Sequence, residues 1–171
     1  MTEIVLAGCV LRPVRSGDEV TITRYAGNPK VWRNMPDAFP HPYSLADGER
    51  WVGSCEADDP PLQFAIVVER EVVGVIGLIP GDDVYRRSME IGYWLGEPYW
   101  NRGLATEALR GFTAHTFETF DLDRLWAGVF AWNAASVRVL EKAGYEFEGR
   151  HRNAIFKDGE VTDELIYARI R

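Results

Sequence analysis

Small residues at the start of a helix are the first feature of this chain that suggests chemistry. They lie within Glu90–Leu109, which reads as a buried strand, a short turn and the first turns of an amphipathic helix. In that turn, Gly103 and Ala105 would let a ligand come close to the backbone. The first N–H groups of a helix favour an anion, because they lack intrahelical partners and lie at the positive end of the helix dipole. The sequence therefore predicts that a phosphate-bearing molecule is held against the end of a strand.

The elements that must position this turn indicate a single α/β (α+β) domain over residues 1–171. Apolar and β-branched runs predict strands over Val5–Val14, Gln63–Val68, Glu71–Ile79, Met89–Leu95, Leu125–Ala131, Tyr145–Phe156 and Val161–Ile170. Start signals and helical spacing predict five helices, which begin at Ser16, Lys30, Ser44, Leu104 and Ala134. In the first of these helices, the residues expected to face the core are Val20, Ile22, Tyr25 and Ala26. Tight hairpin turns are expected at Glu69–Glu71 and Lys157–Glu160.

Composition and charge exclude several classes of protein. The chain has 171 residues, of which 46% are hydrophobic, so it can form one compact core. A net charge of -7 argues against a general nucleic-acid binder, which needs a basic face. Cys9 and Cys55 have no metal-like spacing and are expected to be reduced thiols in a cytoplasmic protein. We find no signal-peptide pattern and no apolar run of membrane-spanning length.

Two blocks of sequence resemble the core of the GNAT family of N-acetyltransferases. Glu90–Leu95 followed by Tyr99–Ala108 is similar to the part of that family that binds acyl-CoA. Asn133, Ser136 and Leu140–Tyr145 are similar to the block that follows it. The blocks occur in the order that the family has, and together they are far more specific than any one of them.

Three further segments resemble the ribosomal-protein-alanine acetyltransferase branch of this family. They are Leu11–Val14, Phe39–Ser44 and the closing Lys157–Ala168, so the resemblance covers nearly the whole chain. It implies the GNAT fold, with a mixed and mostly antiparallel sheet, splayed central strands and flanking helices.

The resemblance implies acetyl-CoA as cosubstrate and suggests which residues contact it. The pyrophosphate is expected mainly on backbone N–H groups of Arg102, Gly103, Leu104, Ala105 and Thr106. The pantetheine arm is expected to pair with the main chain of Tyr93, Trp94 and Leu95, as an added strand would. Asn133 is the natural N-cap of the helix from Ala134, and the resemblance adds a hydrogen bond to the CoA arm. Trp100 stands where the wider family usually has Gln or Arg, and we expect no phosphate contact from it.

Acetyl transfer to an amine requires a base for the ammonium proton and a donor for the leaving thiolate. Glu90 is the first candidate base, because it sits at the strand position that opens toward the thioester, although a solvated glutamate on an edge strand is an equal alternative. Ser136 is the candidate donor, and a purely structural serine in the first turn of a helix is the alternative. Many members of the family use a tyrosine of this helix, but here none occurs before Tyr145, which is expected to fill the core or flank the adenine.

The acceptor pocket is expected in the irregular, aromatic segment near the N-terminus. Its candidate residues are Arg33, Phe39, His41, Tyr43 and Tyr85, with Trp32, Asn34 and Met35 beside them. Aromatic faces suit an ammonium group, but the same residues would also pack helices onto a sheet. Glu160 or Asp163 are alternative amine ligands, unless they are simply solvated charges. The three histidines have no metal-ligand spacing, His115 is expected to be solvated, and no metal is expected.

Other functions remain to be weighed against an acetyltransferase. A dinucleotide-binding oxidoreductase needs Gly-x-Gly-x-x-Gly, and an NTPase needs Gly-Lys-Ser/Thr; both patterns are missing. A non-catalytic acyl-CoA sensor would have the same CoA features. The acceptor stays open between a protein N-terminus and a polyamine, amino sugar or amino acid. We expect direct attack in a ternary complex, a monomer or homodimer, and no nucleic acid or membrane as partner.

Overall fold

An eight-stranded sheet forms the centre of the computed structural model, which describes residues 2–171. The strands are β1 (Ile4–Val5), β2 (Val10–Pro13), β3 (Gln63–Val68), β4 (Glu71–Pro80), β5 (Ser88–Leu95), β6 (Arg124–Phe130), β7 (Glu146–Lys157) and β8 (Glu160–Ile170). Their order in the sheet is β1-β2-β3-β4-β5-β6-β8-β7. Every neighbouring pair is antiparallel except β5 and β6, which are parallel.

Helices cover the two faces of this sheet and define two cores. They are α1 (Glu19–Ala26), α2 (Pro29–Trp32), α3 (Leu45–Cys55), α4 (Leu104–Thr119) and α5 (Ala134–Lys142), with short 3-10 turns at Asp83–Tyr85 and Glu97–Tyr99. One core lies under α4 and α5, where Phe112 and Leu140 are buried against the sheet. The other lies under α1, α2 and α3, where Ile22 and Val52 are buried with Trp94. Alternate residues of β5 therefore face different cores.

The parallel pair β5 and β6 stays in register for only three residues. Ser88, Met89 and Glu90 pair with Arg124–Trp126, and the pairing ends there. Beyond Glu90, β5 keeps its partner β4 as far as Leu95 but has no partner strand on the side of β6. The predicted fold with splayed central strands is thus confirmed, and the strands part immediately after the candidate base.

Both predicted hairpin turns are confirmed by their backbone geometry. Asp158 and Gly159 have φ of 52° and 77°, and Glu69 and Arg70 have φ of 50° and 74°. Two successive residues with positive φ are what a two-residue hairpin loop requires, because its twist then matches that of the strands. Lys157 and Glu160 consequently flank the two-residue turn at the tip of the β7–β8 hairpin.

Two local predictions are wrong. Val5–Val14 is a hairpin of two short strands, because the chain turns where the Leu6 N–H donates to the Cys9 carbonyl over 2.9 Å. Val20 is 55% exposed and does not belong to the buried stripe of α1, which turns Ile22 and Ala26 inward instead. Neither change alters the sheet that carries the site.

Within residues 2–171, none of the helices has both the length and the apolar character needed to cross a membrane.

Candidate active site

A cleft of about 1360 Å³ follows the gap between β5 and β6. It joins the start of α4 and the first turns of α5 with the irregular segment 33–44 between α2 and α3. Because the two strands part after Glu90, the cleft reaches residues that face opposite sides of the sheet. A single molecule could therefore contact both sides.

The start of α4 leaves several N–H groups without a partner. The first backbone hydrogen bond of the helix runs from the Glu107 N–H to the Gly103 carbonyl over 3.0 Å, and no side chain caps the helix. Gly103 has φ of 79°, and a Cβ built on it would meet no heavy atom of residues 2–171 within 4 Å, apart from its two chain neighbours. The positive φ at this position therefore favours a glycine. The missing side chain leaves open space in front of the N–H groups of Leu104, Ala105 and Thr106. This arrangement fits a pyrophosphate.

The residues that precede this turn fix its shape. The Trp100 indole N–H donates to the Leu95 carbonyl over 2.7 Å, so the side chain has no donor left for a phosphate. The Arg102 guanidinium lies 5.4 Å from the centre of the Tyr99 ring and is exposed, within reach of an anion at the helix start. The phosphate contact expected from Arg102, and its expected absence at Trp100, stay predictions.

The open edge of β5 places three candidate CoA-binding residues beside the cleft. Trp94 and Leu95 are buried in different cores, and Phe39 packs edge-on to Trp94 with ring centres 5.9 Å apart. Their side chains are thus occupied by packing, which leaves the main chain for a ligand. Tyr93 differs, because its side chain reaches across to α5.

Tyr93 is a polar candidate that sequence reasoning missed. Its hydroxyl lies 2.9 Å from Ser136 Oγ, and burial raises its pKa. From the sequence, Tyr93 was expected only to offer its main chain to the CoA arm, although strand alternation places its side chain on the same face as Ile91, toward α5. Asn133 accepts the Ser136 N–H on Oδ1 over 3.2 Å, which confirms the predicted N-cap and holds Ser136 in place.

Glu90 lies on the opposite face of β5 from Tyr93. The edge-strand alternative is wrong, because β5 is a central strand and Glu90 is half-buried in the cleft. Burial raises the pKa of this carboxyl, and the nearby Glu164 raises it further. Within residues 2–171 no side chain donates a hydrogen bond to it. A half-buried carboxylate without a partner at the mouth of a cleft is chemically poised to take a proton.

Two of the predicted acceptor residues lie in the cleft. Phe39 and Tyr43 line it with their ring centres 5.1 Å apart, and burial raises the pKa of Tyr43 to about 12. Asn34 and Met35 lie beside them. Phe39 and Tyr43 form an aromatic wall of the cleft, which Glu90 and Gly92 also line.

The structure does not bring the other three predicted acceptor residues to the cleft. His41 is exposed and stacks on Trp32 with ring centres 4.7 Å apart. Tyr85 is 69% exposed on the 3-10 turn between β4 and β5, away from the aromatic wall. Arg33 lines a smaller adjacent groove of about 390 Å³, with its guanidinium 4.7 Å from the centre of the Trp132 ring.

Ion pairs join the segment 33–44 to the tip of the β7–β8 hairpin. Arg33 pairs with Glu160 over 3.2 Å, and the buried Lys157 pairs with Asp37 over 2.8 Å. Lys157 Nζ also lies 4.0 Å from the centre of the Trp32 ring. We call this set the hairpin clamp. Glu160 is part of the hairpin clamp, so its carboxylate already has Arg33 as an ionic partner.

Asp163, the other alternative amine ligand, is likewise engaged within its own hairpin. It accepts hydrogen bonds from Arg150 over 3.2 Å and from the Asn153 N–H over 2.8 Å. These bonds stabilise an irregular stretch of β7, where the register with β8 shifts. The local structure thus accounts for its charge.

Tyr145 and His115 are the remaining residues whose roles were left open, and only Tyr145 belongs to the core. Tyr145 is 2% exposed and its hydroxyl lies 2.8 Å from Thr113 Oγ1, so it fills the core. His115 is only partly solvated: its side chain is half-buried, its ring lies 5.5 Å from that of Phe64, and burial lowers its pKa. Residues 2–171 contain no group of three His, Cys, Asp or Glu side chains placed to hold a metal ion.

Comparison with known proteins gives matches over most of the chain. A family model described as an acetyltransferase (GNAT) domain matches residues 9–146. The N-acetyltransferase YoaA of Bacillus subtilis is 32% identical over 161 residues, which are 91% of this chain and 83% of YoaA. The L-amino acid N-acetyltransferase AaaT of Escherichia coli is 27% identical over 95% of this chain and 98% of AaaT.

Solved structures confirm the fold. RimL, described as a ribosomal alpha-N-protein acetyltransferase in complex with coenzyme A, superposes with a TM-score of 0.87 at 20% identity, over 99% of this chain and 98% of RimL. The relatives thus include an amino-acid acetyltransferase. They also include the ribosomal-protein-serine acetyltransferase of Escherichia coli, which is 31% identical over 107 residues, 63% of this chain and 59% of that protein, in line with the resemblance. The family model spans most of the chain, and the fold, with its open helix start beside parted strands, matches that of solved members. The chain belongs to the GNAT family of acetyl-CoA-dependent N-acetyltransferases.

Proposed function

We propose that this chain transfers an acetyl group from acetyl-CoA to a primary amine by direct attack in a ternary complex. The observation that carries the proposal is the gap between β5 and β6. Glu90 lies on one face of the sheet at this gap, and the Tyr93–Ser136 pair lies on the other. A base and a proton donor on opposite sides of one opening suit a reaction in which the acceptor and the thioester approach from different sides.

Acetyl-CoA would contribute the activated acetyl group, and the chain would hold it by its backbone. The N–H groups of Leu104, Ala105 and Thr106 would bind the pyrophosphate, with Arg102 adding charge from the exposed side. The open main chain of Tyr93, Trp94 and Leu95 would pair with the peptide-like arm. Asn133 also lines the cleft, and its N-cap bond uses only Oδ1, so its Nδ2 group would be free to donate to the CoA arm.

The proposed proton transfers involve two sites. Glu90 takes a proton from the acceptor ammonium, directly or through water, and the amine then attacks the thioester carbon. As the C–N bond forms and the C–S bond breaks, the Tyr93–Ser136 pair supplies a proton to the departing thiolate. The attacking nitrogen loses its second proton to water, water reprotonates the pair, and Glu90 releases its proton to solvent, so one proton is released per acetyl group transferred. A raised pKa makes Glu90 a better proton acceptor at neutral pH than an exposed glutamate would be.

A covalent acyl-cysteine intermediate has no support in this arrangement. Both cysteines are free and buried, and burial raises the pKa of Cys9 to about 11 and that of Cys55 to about 12. Thiols of that kind are almost fully protonated at neutral pH and are poor nucleophiles. We therefore propose that the acceptor amine attacks acetyl-CoA itself.

For the acceptor we propose an α-amine, at the N-terminus of a protein. The wide cleft and the wall formed by Phe39 and Tyr43 would admit the side chain of a terminal residue beside its amine. A free amino acid is the second candidate, supported by the similarity to AaaT over 95% of the chain. We propose that the protein works as a monomer or homodimer in the cytoplasm, without nucleic acid as a partner, in line with its net charge of -7.

The test measures CoA release with a panel of amines. The panel contains a short peptide with a free N-terminus, the same peptide with an acetylated N-terminus, free amino acids, an amino sugar and spermidine. We expect turnover with the free peptide, no turnover with the blocked one, and a product heavier by one acetyl group. Turnover only with free amino acids would favour the second candidate, and tight CoA binding without turnover on any amine would overturn the proposal in favour of a sensor.

A further inference from the structure

A second carboxylate faces the cleft from the strand that flanks β6 on the side away from β5. Glu164 of β8 pairs with Phe130 of β6, the last residue of that strand. Strand alternation places Phe130, Gly128 and Trp126 on one face, and Trp126 pairs with Glu90 across the start of the gap. Glu90 and Glu164 therefore flank the same face of β6, and both line the cleft.

The Glu164 carboxylate is held in one orientation. His151 Nδ1 lies 3.0 Å from Oε2, and this is the hydrogen bond that residues 2–171 make to the side chain. Oε1 lies over Gly128, where a Cβ would be only 2.4 Å from it. The absence of a side chain at Gly128 thus provides the space in which Oε1 lies, facing the cleft with no donor from the described residues.

The other charges around the cleft leave these two glutamates unneutralised. Lys157 from β7 is paired with Asp37 of the hairpin clamp, and Arg50 is paired with Asp47 on α3. Arg138 and Lys142 line the cleft from α5, on the opposite side of the sheet from Glu90. His151 is the one basic group in contact with Glu164 among the described residues.

We propose that Glu164 binds the protonated acceptor amine beside Glu90, with His151 as a positioning residue. The inference rests on the proposed function and identifies the part of the site that recognises the ammonium group. An ammonium has three N–H donors, so it can bind Glu164 Oε1 and Glu90 together. Glu90 then takes one proton, while Glu164 keeps the amine close to the gap. The site would select acceptors that arrive as cations.

This pair of carboxylates also explains the acid–base behaviour of the site. Like charges that are close together disfavour the ionised form, and Glu164 contributes in this way to the raised pKa of Glu90. Removal of the Glu164 charge should lower the pKa of Glu90. The acid limb of kcat/KM should then move to lower pH, which a merely structural role of Glu164 would not produce.

The experiment compares Glu164→Gln and Gly128→Ala with Glu146→Gln. The first substitution keeps the shape of the side chain without its charge, and the second displaces the Glu164 carboxylate without removing its charge. The third is the control, because Glu146 is an exposed residue of β7 remote from the cleft. We expect Glu164→Gln to raise KM for the acceptor by about tenfold, as loss of a charge-assisted hydrogen bond does, with KM for acetyl-CoA unchanged. Gly128→Ala should give a smaller rise, and Glu146→Gln none.

A second readout needs no turnover. Carboxyl ¹³C NMR of the CoA-bound protein would follow the Glu90 titration with and without L-alaninamide as the amine probe. A lower pKa of Glu90 and weaker probe binding in Glu164→Gln would support the inference even if every acceptor in the activity panel failed. Unchanged probe binding and an unchanged Glu90 titration in a folded Glu164→Gln variant would overturn it, while leaving the proposed acetyl transfer intact.

Discussion

The two halves of the cleft are built from different parts of the chain. The half expected to bind CoA uses the end of β5 and the start of α4, which lie within about twenty residues of each other. Its polar groups are backbone N–H and C=O groups. The half expected to bind the acceptor uses side chains that are far apart in sequence: Asp37 and Lys157 are separated by 120 residues, and Arg33 and Glu160 by 127.

This difference in construction explains why the two halves suit different ligands. A helix start and an unpaired strand edge offer the same groups whatever the neighbouring side chains are, so they suit a cosubstrate with constant chemistry. The acceptor half depends on ion pairs and aromatic contacts between the segment 33–44 and the β7–β8 hairpin. Substitutions in the two halves should therefore affect separate steps, and each variant below is a test of that separation.

The largest effect is expected from the acceptor half. Glu90→Gln keeps the size of the side chain but removes the proton acceptor, so kcat/KM for the amine should fall by roughly a hundredfold or more. The Kd for CoA, measured by calorimetry, should not change. Glu146→Gln is the matched control, because it removes an exposed charge of the same kind. Undiminished turnover in Glu90→Gln would remove this residue as the base.

A smaller loss is expected from the Tyr93–Ser136 pair, which is proposed to meet the thioester from the other face of the sheet. Ser136→Ala and Tyr93→Phe should each lower kcat by about tenfold, and the double variant should lose less than the product of the two, because the hydroxyls act as a unit. Tyr145→Phe is the control, since it removes another buried hydroxyl that is bonded outside the cleft. Full activity in Tyr93→Phe would assign Tyr93 to packing alone.

The CoA half is tested at the turn before α4. Gly103→Val forces a β-branched residue into positive φ, where the backbone must shift and the N–H groups move, so KM for acetyl-CoA should rise by roughly tenfold. Gly17→Val places the same strain at a glycine with φ of 100° far from the cleft. Equal CoA affinity in the two variants would contradict the phosphate site. A change in acceptor KM as large as that for acetyl-CoA would contradict the separation of the two halves.

The CoA half could be predicted from the sequence better than the acceptor half, because its features are local in the chain. The turn at Gly103, the N-cap Asn133 and the strand positions follow from local patterns, because glycine, capping residues and alternation act over a few residues. His41 and Tyr85 were expected in the acceptor pocket on the basis of residue type. Their actual positions depend on where Trp32 packs and where the β4–β5 connection projects, and neither is encoded locally.

The roles of Tyr93 and Glu164 could not be predicted from the sequence, for the same reason. Tyr93 reads as core in its strand, and only the docking of α5 brings Ser136 to its hydroxyl. Glu164 reads as one charge among several in a hairpin. Its orientation depends on His151 across the ribbon and on Gly128 in another strand. Pairings between distant segments decide both cases.

The smallest effect concerns stability and again separates the halves. Because burial and Glu164 raise the pKa of Glu90, the ionised carboxylate is less favourable in the folded chain than in the unfolded one. Folding is therefore penalised above the pKa of Glu90 in the folded chain, and the penalty disappears as the pH falls below its pKa in the unfolded chain.

Glu90→Gln should raise Tm at neutral pH by about 1–3 °C, as expected for less than about 1 kcal/mol in a chain of this size, and this gain should vanish in acid. Gly103→Val, which lies in the other half, should lower Tm by an amount that does not depend on pH. Scanning calorimetry of both variants at neutral and acidic pH would separate these cases, and a pH-independent gain in Glu90→Gln would show that the glutamate carries no electrostatic cost in the folded chain.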